Sequence, residues 1–351
     1  MRLVLVSTPV APLGDPVAGG VTASVEAMTS ALLRFGHSVV VVAPRGSRPP
    51  AGATLVECAG ELHQPAQRDR AGVRQPPSHR SVHTAMLRAA DAVEADAAVH
   101  LAYDLAALTT AASAARPSGV LLSMPSLGDA GFDAAVRGLE GRRPGAVATL
   151  TTAQRQSFGL PPGEPLGVGL DVDACPFTAA PQPRLVWAAR IAAEKRPRDA
   201  LAVAELTGLP IDVCGAIEEP QIWSEARAAH PAARLRYHGH LPQDLLLGVL
   251  ADAAVFLQTS GSFEALGITA CQAIACGTPV VAYAGGSAGE VVEPDAGVIV
   301  AEGDVVAMAD AVPAVRALDR GTVRSSARRR FSEEDFGRRL ASWLAALVAR
   351  W

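Results

Sequence analysis

Short apolar or β-branched runs recur along this chain, each followed by a stretch with helical spacing, and no other feature restricts its fold so strongly. Residues 3–6 form the first run, end in Ser7, Thr8 and Pro9, and lead into a Gly/Pro loop holding Gly14, Gly19 and Gly20. Residues 21–35 then place Val21, Val25, Met28, Ala31, Leu32 and Phe35 at helical spacing, close with Gly36, and give way to SVVVVA at 38–43. Continuous apolar strands linked by helices are strands covered on both faces, the mark of parallel sheets in α/β folds. The alternation continues with a run at 54–56, a helical stretch at 79–94, a run at 97–101, a helical stretch at 105–115 and a run at 120–123. Between them residues 59–78 are polar and rich in Arg and Pro. A loop of that length in an α/β unit is either a functional flap or a surface excursion.

From 161 to 183 the chain reads PPGEPLGVGLDVDACPFTAAPQP and the periodicity lapses. We place the domain boundary there: a first domain at 1–168, a linker at 169–183 and a second domain at 184–351. The alternation then restarts, with strands at 184–189, 211–214, 235–238, 254–258 and 279–283 and helices near 197–206, 221–229, 242–250 and 266–275. A final helix at 333–348, with Phe336, Leu340, Trp343, Leu344 and Leu347 on one face, can cross back to the first domain. The fold class is α/β, two Rossmann-like parallel-sheet domains facing across a cleft. Such clefts, at the carboxyl ends of strands, bind small molecules.

A length of 351 residues accommodates two domains, and 49% hydrophobic residues supply their cores. A net charge of −4 gives no field that would gather nucleic acid or an anionic membrane. The N-terminal MRLVLVSTP is too short for a secretory apolar region, and no run of about eighteen apolar residues is present, so a cytoplasmic location is expected. Five cysteines, Cys58, Cys175, Cys214, Cys271 and Cys276, are scattered without a CxxC pair and read as small buried hydrophobes.

Of 31 basic side chains the only lysine is Lys195. A compact ammonium fits between phosphate oxygens where a planar guanidinium does not, although a surface lysine without a task is the alternative. Lys195 lies in WAARIAAEKRPR at 187–198, five residues after Arg190 and just before Pro197 starts a helix. A fork and a point charge on one loop suit a diphosphate. The segment TSGSFEALGITACQAIACGTPVV at 259–281 adds an anion seat: Gly261 and Ser262 end a strand, and Glu264, Ala265, Leu266 and Gly267 open a helix whose first free amides receive phosphate oxygens. Glu264 can accept hydroxyl hydrogen bonds from a polyol, and Gln272 lies two turns on along the same face. Otherwise Glu264 is a simple helix-start charge.

This segment resembles the E-x7-E signature of retaining glycosyltransferases of family 4, which have the GT-B fold. Gly19 and Gly20 match the family's glycine loop, residues 21–44 its first helix and second strand, and 169–177 its interdomain stretch. Arg190 and Lys195 match the pair that binds the donor diphosphate. Gly239, His240 and Leu241 match the turn whose backbone meets the nucleobase, and Glu264 the glutamate that contacts the transferred sugar. Residues 276–281 match the CGTPVV run, and Gly285, Gly286 and Glu290 resemble the element that follows it. The resemblance implies transfer of a sugar from a nucleoside-diphosphate donor, with retention, without a metal and with no other cofactor. Arg190, Lys195 and the amides of Leu266, Gly267 and Ile268 would stabilise the departing diphosphate.

Two departures stand out. The family's second glutamate, which holds the ribose, is Gln272 here, an amide without charge-assisted strength. Where the family often has a histidine after its fifth strand, this chain reads Met124, Pro125, Ser126. His100 matches another family histidine and is the substitute candidate for catalysis, or else a structural strand-end residue. Asp171 and Asp173 spell a DxD but fall in the interdomain stretch. His79 and His83 have zinc-compatible i,i+4 spacing without a third ligand. His238 and His240 read as local turn residues, and residues 324–339 as a basic, solvated helix face with a weaker option of membrane-surface contact. A small soluble acceptor is expected over a lipid. The rival readings are a sugar-nucleotide epimerase or hydrolase and a non-catalytic nucleotide-sugar binder.

Overall fold

The computed structural model describes residues 1–14, 20–63, 80–102, 104–260 and 264–351. Gly19, His79, Gly261, Ser262 and most of the 59–78 loop lie outside the described residues. The chain divides into two compact units, Met1–Gly169 with Glu333–Trp351, and Leu170–Ser332.

The first unit runs β1 (Arg2–Val6), α1 (Gly20–Arg34), β2 (Ser38–Pro44), β3 (Thr54–Cys58), α2 (Val82–Ala92), β4 (Ala97–Ala102), α3 (Leu105–Ser113), β5 (Ser118–Leu122), α4 (Ala130–Arg142), β6 (Val147–Ala148) and α5 (Thr152–Ser157). Its sheet has the order β3-β2-β1-β4-β5-β6 and every pairing is parallel. The all-apolar strands are buried on both faces as expected: Val39, Val40, Val41 and Val42 of β2 are all buried, as is the whole of β4.

The second unit runs β7 (Gln182–Ala188), a 3-10 turn (Ala193–Lys195), α6 (Pro197–Thr207), β8 (Ile211–Cys214), α7 (Pro220–Ala229), β9 (Leu235–Gly239), α8 (Gln243–Asp252), β10 (Ala253–Gln258), α9 (Ile268–Ala275), β11 (Val280–Tyr283), α10 (Ala288–Val291), β12 (Gly297–Val300), α11 (Val305–Arg316) and α12 (Arg320–Arg330). Its sheet order, β12-β11-β10-β7-β8-β9, repeats that of the first unit and is again parallel throughout. In each unit the direction of winding reverses beside the first strand. In the second unit the reversal falls between β7 and β10, the place where open α/β sheets bind ligands.

The last helix, α13 (Glu333–Ala349), belongs to the first unit and not to a continuous domain at 184–351. Phe336, Leu340, Leu344 and Leu347 are its buried face. The ring of Trp343 lies so close to Gly119 on β5 that a Cβ there would stand 2.6 Å from it.

Residues 170–181 are no free linker: the Leu170 amide donates to Phe331 O at 2.8 Å, and Arg324 Nη2 to Val172 O at 2.6 Å, both inside the second unit. The reading of 324–339 as a solvated face holds for Arg328, Arg329 and Arg338, whose side chains are at least half exposed, and fails for Arg324, which is buried. Arg320, a turn before Arg324, is 7% exposed, and its guanidinium reaches Thr178 O, Ala251 O, Ala253 O and Thr278 Oγ1 at 2.7–2.9 Å. Arg328 pairs with Asp173 at 2.7 Å and Arg329 with Asp295 at 2.6 Å. A rigid planar fork satisfies several carbonyls at once, so these arginines staple α12 to its own unit. All five cysteines are free and buried.

Candidate active site

The carboxyl ends of the parallel strands bring five loops of the second unit to one sheet edge: those after β7, β8, β9, β10 and β11. Arg190 and Lys195 follow β7, and Glu264 follows β10, so they flank the reversal point. Lys195 Nζ donates to Glu264 Oε2 at 2.6 Å, with side-chain exposures of 14% and 26%. Burial works to raise the Glu264 pKa. The Lys195 ammonium, its hydrogen bond, a further one from Ser260 and the field of Arg190 overcome that, and the net shift is downward. Glu264 is therefore a carboxylate at neutral pH.

The sequence predicts two cations free for an anion, and the geometry differs. Arg190 is held by Glu218 through Nη1 and by Glu194 through Nη2 at 2.9 Å. Each cation of the pair is already matched by a carboxylate. An anion bound by either cation would have to exchange with those carboxylates, because a pair left with one partner missing is costly in a partly buried site.

The backbone that carries these groups is set by close approaches. Gly215, just past β8, has φ +140, and a Cβ there would stand 1.8 Å from Ala189 O. Only glycine lets the loop after β8 press on the one holding Arg190. Ile191 N donates to Ala216 O at 2.8 Å and completes that seam. Gly286, after β11, sits with φ +50 so near Glu264 that a Cβ would lie 2.5 Å from Glu264 O and 2.7 Å from its nitrogen. Ser287 N donates to Glu264 O at 3.1 Å. The Gly285, Gly286 element thus fixes the backbone of the carboxylate.

The helix after Glu264 begins later than predicted. α9 opens at Ile268, with Gly267 as its N-cap at φ 76 and ψ 55. The left-handed glycine breaks the helix, so Ala265 and Leu266 lie in the loop, both buried. The free first-turn amides are those of Ile268 and Thr269, since Ala270 N and Cys271 N already donate to Gly267 O. Glu264 is not a helix-start charge, and its expected common helical face with Gln272 does not exist. Gln272 is inside α9 and 5% exposed.

His240 and Leu241 follow Gly239, whose φ of +75 turns the chain out of β9; His240 is exposed and Leu241 half-buried. His238 Nε2 bonds Asp212 Oδ1 at 2.8 Å. In the first unit Gly20 opens α1. His100 is 3% exposed on β4, and its Nδ1 has no partner among the described residues. Burial, then the charges of His83 and Arg116, push its pKa down to about 3. It is a neutral strand residue at pH 7, with one ring N–H and no second, acidic proton to give up. His83 gives its Nδ1 to Asp104 Oδ2 at 2.7 Å. Asp171 Oδ1 accepts from Ala174 N at 3.1 Å and Asp173 pairs with Arg328, so the DxD carboxylates hold a turn and an ion pair. No group of three or more His, Cys, Asp or Glu with metal-binding spacing occurs among the described residues. Nor is any helix among them long and apolar enough to cross a membrane.

Gly215, Glu218, Thr259, Trp187 and Ser260 were not legible as site residues. Gly215, directly after a strand, is the one that a sequence signal marks.

Residues 178–334, nearly the whole second unit, match the family described as Glycosyl transferases group 1. That stretch of the chain is similar to the group 1 glycosyl transferases. A 2-deoxystreptamine N-acetyl-D-glucosaminyltransferase from Streptomyces fradiae is 33% identical over 138 residues, 37% of this chain and 32% of that protein, so the match spans about a third of the relative's length. Glycogen synthase from Mycobacterium tuberculosis is 27% identical over 90% of this chain and 86% of its own. Among solved structures, AviGT4, a glycosyltransferase involved in avilamycin A biosynthesis, superposes with a TM-score of 0.75 at 20% identity, covering 99% of this chain and 98% of the other. Anabaena HepE in complex with UDP and glucose gives 0.73 at 16% identity, covering 99% and 100%. These likenesses give this chain the GT-B fold, in line with the two sheets of identical strand order.

Proposed function

We propose that this chain transfers a sugar from a nucleoside-diphosphate donor to a small-molecule acceptor with retention of anomeric configuration. The observation that carries this reading is the pairing of the sole lysine with Glu264 at the reversal point of the second sheet. When donor binds, Lys195 and Arg190 move from carboxylate to diphosphate partners, and the amides of Ile268 and Thr269 face the same anion. Glu264, released from Lys195, accepts hydrogen bonds from sugar hydroxyls. In the transfer the bond from the anomeric carbon to the diphosphate oxygen breaks and one to the acceptor forms on the same face. The acceptor's proton passes to a phosphate oxygen of the leaving group. The cations stabilise the charge that develops there. No step uses a metal or a protein base; the low pKa of buried His100 makes it a weak base.

UDP is the first nucleotide to test, because HepE is a neighbour solved with it. The small acceptor is supported by the relative named for 2-deoxystreptamine. A thermal-shift panel of UDP, GDP, dTDP and ADP should single out one base, since a ligand at 100 times its Kd stabilises by about 2.7 kcal/mol. Labelled donor incubated without acceptor should stay intact; rapid consumption points to a hydrolase or epimerase instead. Absence of turnover with every donor and acceptor pair, alongside retained nucleotide binding, would make the chain a nucleotide-sugar binder.

A further inference from the structure

We propose that Thr259, oriented by Trp187, is a positioning residue for Lys195. The inference rests on the donor-site reading above for its consequence, though not for its geometry. Lys195 stands in a single 3-10 turn closed by two backbone bonds, Lys195 N to Ala192 O at 3.0 Å and Arg196 N to Ala193 O at 3.1 Å. Such turns have poor hydrogen-bond geometry and hold little by themselves. The turn ends at Arg196, the only non-glycine residue with positive φ among the described residues, at φ 48 and ψ 57. A side chain in that region persists only where the surroundings impose it.

What imposes it comes from the neighbouring strands. Thr259 Oγ1 donates to Lys195 O at 2.7 Å and lies 3.1 Å from Arg196 O, so one hydroxyl proton is shared by both carbonyls of the strained step. The direction of that proton is determined. Trp187 Nε1, which can only donate, gives its hydrogen to the same oxygen at 2.7 Å. The Thr259 hydroxyl must therefore turn its own proton toward the carbonyls. Trp187 and Thr259 are 2% and 1% exposed, so water does not substitute for either partner. Trp187 is on β7 and Thr259 directly follows β10, the two strands that flank the reversal point. The relay joins the loop that carries Lys195 to the loop that, five residues on, carries Glu264.

The sole lysine makes the test direct, because lysine-labelled protein gives one side-chain NMR signal. Thr259→Val keeps the volume and removes the proton; Thr259→Ser keeps the proton. Trp187→Phe removes the indole donor and keeps an aromatic ring, and serves if the valine variant folds poorly. In Thr259→Val and Trp187→Phe the Lys195 signal should move toward that of a free lysine, as in Glu264→Gln, while Thr259→Ser stays at the wild-type position. UDP binding should weaken about tenfold in Thr259→Val, the loss of a buried hydrogen bond. It should weaken no further when Thr259→Val is added to Lys195→Ala, whereas a purely structural role gives additive losses. An unmoved lysine signal in both folded variants, or additivity with Lys195→Ala, overturns the proposal. Wild-type protein that binds no nucleoside diphosphate sinks the donor-site reading alone, and the lysine signal still decides the positioning role.

Discussion

A single ammonium between a carboxylate and a future phosphate sets the behaviour of the site at the level of residues. Lys195→Arg is not a conservative change here, because the planar guanidinium cannot occupy the 2.6 Å contact to Glu264 as a point charge. Both Lys195→Ala and Lys195→Arg should lower kcat/KM by about 100-fold or more, the scale on which removed leaving-group stabilisation is felt. Steady-state kinetics with the donor found by thermal shift would show it; a near-normal arginine variant would mean that the ammonium is not on the diphosphate. Glu264 adds a pH dependence whose sign is determined. Its folded pKa is depressed, so the stability it contributes is complete above the ordinary carboxylate value and is lost as pH falls through the lower folded value. The stability difference between wild type and Glu264→Gln should accordingly be flat at neutral pH and shrink in acid, as read by urea titrations at several pH values. On the other arm, Glu218→Gln removes a competitor for Arg190. Nucleotide affinity should rise about threefold, in the range measured for partly exposed ion pairs.

Among the elements, the turn at 192–196 and the glycine contact behind Glu264 are where local rules give way to tertiary demands. Arg196 occupies a left-handed conformation that glycine adopts without cost and alanine does not. It also pairs with Glu302 at 2.9 Å and Asp199 at 3.5 Å, contacts worth under about 1 kcal/mol at this exposure. Arg196→Gly should therefore match or exceed the stability of Arg196→Ala by about 1 kcal/mol, the reverse of their order in a helix interior. Thermal melts of the two variants make the comparison. The alternation of apolar runs and helical stretches was legible because buried parallel strands tolerate nothing else, and it located β7, β8, β10 and β11 to within a few residues. α4 and α11 were not legible: α4 contains Gly131, Gly138 and Gly141, and α11 carries Pro313 inside; α12, mostly arginine and serine, was legible only as part of the basic stretch at 324–339. In each, tertiary contacts outweigh propensity, most plainly where Arg320 is buried on carbonyls. The candidate-site residues Arg190, Lys195 and Glu264 stood out by type and spacing. Glu218 did not, because it reaches Arg190 only through the seam made by Gly215, a contact with no spacing rule.

At the level of the whole molecule, chain order and unit membership diverge. The last helix closes the first unit and not the second, since Phe336, Leu340, Leu344 and Leu347 are buried and Trp343 seats against Gly119 of β5. Trp343 Nε1 also donates to Gly145 O at 2.7 Å, which ties α13 to the turn before β6. Four large side chains leaving a core are each worth about 2 kcal/mol or more, a sum comparable to the stability of a domain. A chain ending at Ser332 should therefore lose the first unit's cooperativity while the second keeps its own sheet, core and ion pairs. Hydrogen exchange reads the two separately: amides of β5 and α1 should lose protection by orders of magnitude, while those of β7 and β10 keep theirs. The lysine signal at Lys195 should stay where it is, because every residue that orients that side chain lies between Trp187 and Ser287. Loss of protection in β7 on truncation would instead mean that the second sheet does not stand on its own core.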